Sequence, residues 1–225
     1  SLQLTGDSTY SGSTNVSAGT LQIGNGSTVG SLNGSSNINI TSGATFIFNR
    51  SDALTIANNI SGTGGLNISQ SNNITFTGAQ TYTGATNVGG GAITFTNANA
   101  PRTNNFTGSG SILIQPSGAS FAADQALTFN IASAFTNLTI GSATNSANLS
   151  LTSGNIAIAG PISLYAGNIT LNANLATTSA NASMLVKSLG QITSSGGNHT
   201  YQTNNGSLVF WSNANDSTAG GITLG

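Results

Sequence analysis

The chain has 225 residues, of which 3% are charged and 37% hydrophobic, with a formal net charge of -1. So weak a field leaves little to steer nucleic acid or anionic lipid, and the absence of cysteine excludes a disulfide framework and a thiolate metal site. No stretch approaches the run of about 20 apolar residues that a membrane helix needs, so this segment is not expected to insert in a membrane.

The first organised stretch runs from Tyr10 to Ile23, Tyr-Ser-Gly-Ser-Thr-Asn-Val-Ser-Ala-Gly-Thr-Leu-Gln-Ile, and a second copy runs from Tyr82 to Phe95. Both read as turn, short strand, turn, short strand, with inward apolar positions two apart. Such a unit is too narrow to bury a core by itself, so it must stack on others of its kind. Around and between the copies, apolar-x-apolar triplets follow in order: Leu2/Leu4, Leu21/Ile23, Ile38/Ile40, Phe46/Phe48, Leu54/Ile56, Leu66/Ile68, Ile74/Phe76 and Ile93/Phe95. Near Ala100 the texture changes to longer segments with Ala-rich linkers, read as a change of coil size within one solenoid. The triplets then continue through Ile112/Ile114, Leu138/Ile140, Ile162/Leu164 and Met184/Val186 to Leu208/Phe210 and Ile222/Leu224.

Alternation of this kind is the mark of a half-buried strand, and no segment sustains a helical period. Asn25-Gly26, Asn33-Gly34, Gly64-Gly65 and Asn205-Gly206 supply corners between strands. A sandwich would leave edge strands that nothing charged guards, whereas a parallel β-helix pairs each strand with its equivalents above and below. The expected fold is therefore all-β, a right-handed parallel β-helix of roughly ten coils rising about 4.8 Å each. Residues 1–225 are taken as a single β-solenoid segment of a larger protein. The Gly, Ser, Asn and Thr bias suits stacked coils, because neutral side chains form hydrogen-bonded ladders where a column of like charges would repel.

Thr9-Tyr10-Ser11-Gly12 followed by Asn15-Val16, Ala18-Gly19 and Thr20-Leu21 resembles the strand repeat of autotransporter passenger domains. The stretch from Asn205 through Phe210-Trp211 to Leu224 resembles repeats of filamentous-haemagglutinin-like bacterial adhesins. What these resemblances imply is an extracellular chain, at the bacterial cell surface or secreted, acting in attachment or aggregation. The partner is then a cell-surface or matrix glycan or protein, and end-to-end or lateral self-association into a filament or sheath is the alternative. An ice-binding or carbohydrate-binding solenoid is a third reading, prompted by Thr75/Thr77, Thr81/Thr83 and Thr94/Thr96.

The ionisable groups are few. Asp7, Asp52, Asp124 and Asp216 are far apart in sequence, with no close pair for acid-base work and no Asp repeat for calcium, and the bases are Arg50, Arg102 and Lys187. His199 is a lone histidine read as an exposed turn residue. No catalytic residue, metal ligand or cofactor site is assigned. Function is instead carried by the stacking positions, among them Leu21, Ile23, Ile74, Phe76, Ile93, Phe95, Leu208 and Phe210. Val209 and Trp211 alternate outward from the last pair and form a candidate surface contact, either a sugar-stacking platform or plain packing. Tyr10 and Tyr82 are read as stacking or capping turns. Sequons such as Asn39-Ile-Thr41, Asn73-Ile-Thr75, Asn137-Leu-Thr139 and Asn168-Ile-Thr170 follow from strand composition or from glycosylation.

Overall fold

The computed structural model describes residues 1–69, 72–96, 103–214 and 220–224. Arg102, Asp216 and the texture change near Ala100 fall outside these residues. Among the described residues every regular element is a strand, paired in parallel with strands one turn away. The chain is a parallel β-solenoid of about nine turns, with register partners 19 positions apart at Leu2 and Leu21 and 30 apart at Ile192 and Ile222. It divides into two compact units, Ser1–Ser111 and Ile112–Gly225.

In the first unit, strand alternation turns both apolar members of each triplet inward, and stacking lays them over their equivalents. Leu2, Leu21, Phe46, Leu66 and Thr86 make one column, and Leu54, Ile74 and Ile93 make another. A third wall joins Thr14–Val16, Ile38–Ile40 and Ile60–Gly62, with Ile60 bridging to Gln80. The aromatic members pack edge-on at 5.0 Å between Phe46 and Phe48 and stacked at 5.3 Å between Phe76 and Phe95. Burying each such side chain is worth about 1.5–3 kcal/mol, and that gain exists only once neighbouring turns are in place.

Two polar residues that enter the interior are spent on backbone. The Asn58 amide donates to the Ser36 carbonyl at 2.6 Å and the Asn33 carbonyl at 2.8 Å, and Gln80 Nε2 donates to the Asn58 carbonyl at 3.2 Å. Corners unable to close a strand ladder are closed this way, which removes the cost of burying unpaired carbonyls.

In the second unit the columns are Gln125, Leu149, Ile169, Ile192 and Ile222; Ile131, Ile156, Leu175 and Tyr201; and Leu138, Ile162, Met184 and Leu208. Outside them run polar ladders. Asp124 accepts from Asn148 N at 2.8 Å, Asn148 Oδ1 accepts from Asn168 N at 2.9 Å, and Asn168 Oδ1 accepts from Gln191 N at 2.9 Å. A parallel ladder joins Asn130, Asn155, Asn174 and Thr200. Asn168 and Asn73, both sequon residues, thus carry ladder bonds, Asn73 Oδ1 accepting from Ala92 N at 3.0 Å.

One expectation is corrected. The second copy of the Tyr repeat is not two short strands but one continuous strand, Thr86–Thr96. In the first copy Gly19 turns out at a φ of +67° and separates Thr14–Val16 from Thr20–Ile23. Gly89, Gly90 and Gly91 keep negative or extended φ instead, so the backbone bends without leaving the strand.

Candidate functional site

The residues assigned to stacking separate into two groups. Ile23, Ile74, Phe76, Ile93 and Phe95 are at most 2% exposed, and Leu21 is 8% exposed. Leu208 is 42% exposed and Phe210 is half-buried, because strand Leu208–Trp211 pairs with Met184–Ser188 alone. This strand therefore has a floor and, among the described residues, no ceiling. Phe210 is held from one side by Tyr201, whose ring meets it edge-on at 5.5 Å and whose hydroxyl donates to the Leu171 carbonyl at 2.8 Å.

The outward faces of three consecutive strands, Ile162–Ala166, Met184–Ser188 and Leu208–Trp211, carry a different chemistry from the ladders. Register places Ser163, Leu185 and Val209 in one outward column and Tyr165, Lys187 and Trp211 in the next. Sequence reasoning singled out Val209 and Trp211, which are 43% and 51% exposed. It missed Tyr165, Leu185 and Lys187, which lie 22 to 46 positions earlier and become neighbours through the turn lengths. The available signal was a lysine, Lys187, in mid-strand, between the apolar positions Leu185 and Val186 and the strand end at Ser188. Lys187 Nζ sits 4.3 Å from the centroid of the Trp211 ring, within reach of its π face.

The remaining described charges are self-contained. Arg50 grips Asp52 through Nε at 2.9 Å and Nη2 at 2.6 Å, and donates also to the Gly30 and Thr28 carbonyls. The hydrogen bond from Arg50 holds the Asp52 carboxyl below its usual range. Asp124 is likewise lowered, first by the Asn148 backbone bond. Asp7 accepts from the Ser31 hydroxyl at 2.7 Å. Among the described residues no three His, Cys, Asp or Glu gather where a metal could sit.

Hollows lie in both units. A cavity of about 170 Å³ in the first unit is lined by Ile23, Leu32, Phe48, Leu54, Arg50 and Asn58. It lies where residues 24 to 35 run with only a single bridge at Ser31, so the turn brings no apolar pair to that wall. In the second unit an open trough is lined by Thr128, Thr152, Asn172, Ser195 and His199, the histidine half-buried.

The passenger-associated transport repeat model matches residues 1–23, the stretch that ends with the first Tyr repeat. The chain resembles autotransporter passengers. A relative is the adhesin BmaC autotransporter of Brucella suis biovar 1 (strain 1330), 52% identical over 61 residues, a match covering 27% of this chain and 2% of that protein. No solved structure matches. The passenger-like sequence and the parallel β-solenoid agree with one another, and they place the chain outside the cell, at the bacterial surface or secreted.

Proposed function

We propose that this chain is a structural segment of a bacterial surface adhesin, displaying an extended β-solenoid surface that mediates attachment or aggregation, with no enzymatic step. The observation that supports this most is the contrast on the outer surface, where hydrogen-bonded polar ladders give way to the Tyr165, Lys187, Trp211 and Val209 patch. An outer surface whose polar groups are already bonded to one another is inert to most contacts, and attachment then concentrates where apolar and cationic groups stand out. The partner class is a cell-surface or matrix glycan or protein. Beads coated with the purified chain should adhere to host-cell or matrix-coated surfaces, or clump with each other, more than beads coated with an unrelated β-solenoid. Equal behaviour of the two coatings would remove the adhesin reading.

A second reading, a self-assembling filament, draws on the parallel stacking of like rungs along the chain, such as Ile162, Met184 and Leu208. Strand edges and apolar rungs of this kind pair readily with another copy. Negative-stain images of diluted protein separate the readings, long fibres supporting assembly and isolated particles supporting display.

A further inference from the structure

We infer that the Tyr165, Lys187 and Trp211 column binds an acidic saccharide, its carboxylate on Lys187 Nζ and a sugar face on the exposed indole of Trp211. This rests on the adhesin reading above and names the ligand class of its contact patch. Three observations converge on it. First, the described cations are Arg50 and Lys187, and Arg50 has its guanidinium committed to Asp52 and to two carbonyls. Lys187 has no ion pair among the described residues, and its recorded partner is the Trp211 ring. An ammonium held over an aromatic face keeps most of its charge available to an anion approaching from solvent.

Second, the three described carboxylates are all engaged elsewhere, Asp7 with Ser31, Asp52 with Arg50 and Asp124 with Asn148. Nothing described competes with an external carboxylate for Lys187, so charge complementarity selects an anionic occupant.

Third, the column has the shape of a saccharide track. Successive strands stand about 4.8 Å apart, so Tyr165 to Trp211 spans about 10 Å along the stacking direction, room for a pair of sugar rings. Pyranose C–H faces are apolar and flat enough to lie on aromatic rings, and Leu185 and Val209 in the adjacent column extend that apolar ground. A peptide strand would instead look for an open main-chain edge, which an outward side-chain column does not offer. A neutral sugar would leave the ammonium unused, and a bare inorganic anion would leave the indole unused.

Trp211 is the chain's only tryptophan, so its emission reports the site directly. The intact chain is titrated with an oligogalacturonate and with the same oligosaccharide fully methyl-esterified, following fluorescence and heat of binding. Saturable binding of the acid form is expected, at least ten-fold tighter than the ester. Lys187→Gln should weaken the acid form ten-fold or more and bring it level with the ester, while Lys187→Arg retains most of the affinity. Trp211→Leu, read by heat alone, should weaken both forms. Unchanged thermal melting of Lys187→Gln confirms that folding is intact. Equal affinity for acid and ester, undiminished binding by Lys187→Gln, or non-saturable binding overturns the proposal. The bead assay on Lys187→Gln keeps the two readings apart: beads that still attach while acid binding is absent in every protein leave the adhesin standing and dismiss the acidic-saccharide site.

Discussion

The two copies of the Tyr repeat share a local bond and differ in nearly everything around it. Tyr10 bonds Thr14 Oγ1 at 2.7 Å, and Tyr82 bonds Thr86 Oγ1 at 2.7 Å, so each tyrosine ties the corner to the strand four residues on. Yet Tyr10 is 42% exposed and Tyr82 is 1% exposed. The copies also sit on different walls. Thr14–Val16 pairs with Ile38–Ile40, whereas Thr86 to Val88 pairs with Leu66 to Ile68, in the column that Leu21 and Ile23 occupy in the first copy. Tyr82 follows Gln80 onto the wall that holds Val16, where the next residue, Thr83, donates its backbone N–H to the Gly62 carbonyl at 2.9 Å. A repeat of this kind specifies a turn and two strands. The neighbouring turns decide which wall each strand joins and how deep its tyrosine lies.

Four tests probe that difference, beginning with the most damaging. Ile74→Asp places a charge beneath Ile93 and above Leu54, at a position 2% exposed. With no partner for the carboxylate, it should abolish cooperative unfolding and protease resistance of Ser1–Ser111. Melting and proteolysis like the parent's would contradict the stacking account. Tyr82→Ala should cost about 3–5 kcal/mol by urea denaturation, as for other large aromatics removed from a core, against about 1 kcal/mol or less for Tyr10→Ala. Equal costs would mean that the tertiary environment of the two copies does not matter.

The corners differ next. An added Cβ at Gly110, which has φ +95°, would lie 1.5 Å from the Gly90 carbonyl oxygen, so Gly110→Ala forces the second copy's glycine bend apart. Its expected cost is about 2–3 kcal/mol, from left-handed strain together with the clash. Gly19→Ala, at φ +67° with nothing within 4 Å, should cost only the conformational strain of about 1 kcal/mol. Chemical denaturation of both variants checks the order.

The smallest effect is on pH. Burial pushes the Tyr82 hydroxyl well above its ordinary value of 10.0, against the opposing pull of the Thr86 bond. Above pH 10 the unfolded chain therefore releases this proton while the native chain keeps it, so the unfolded state gains and stability falls as pH rises. Tyr82→Phe should flatten that alkaline slope in urea midpoints between pH 9 and 11, at a loss near neutrality of about 1 kcal/mol for the Thr86 bond. A slope identical to the parent's would assign the alkaline loss to another group.

Much of the architecture was readable in residue order because strand alternation is a local property. Ile23, Phe46, Ile74 and Phe95 each stand two positions from another apolar residue, and all four lie inside. The Thr86–Thr96 strand was misread because three glycines look like a turn in sequence, while φ at those glycines is set by the strand beneath. Lys187 with Trp211 was invisible for a related reason. Residues 24 positions apart become partners only when the intervening turn has a given length.

The amino-acid order by itself determined an all-strand chain with a neutral surface, since inward and outward positions alternate within a few bonds of backbone and the composition supplies hardly any charge. Tertiary structure alone decided which strand lies on which wall, which aromatic is sealed and which cation is left facing solvent. Those outcomes depend on where each corner ends, and corner length varies, register partners standing 19 positions apart at Leu2 and Leu21 and 30 apart at Ile192 and Ile222.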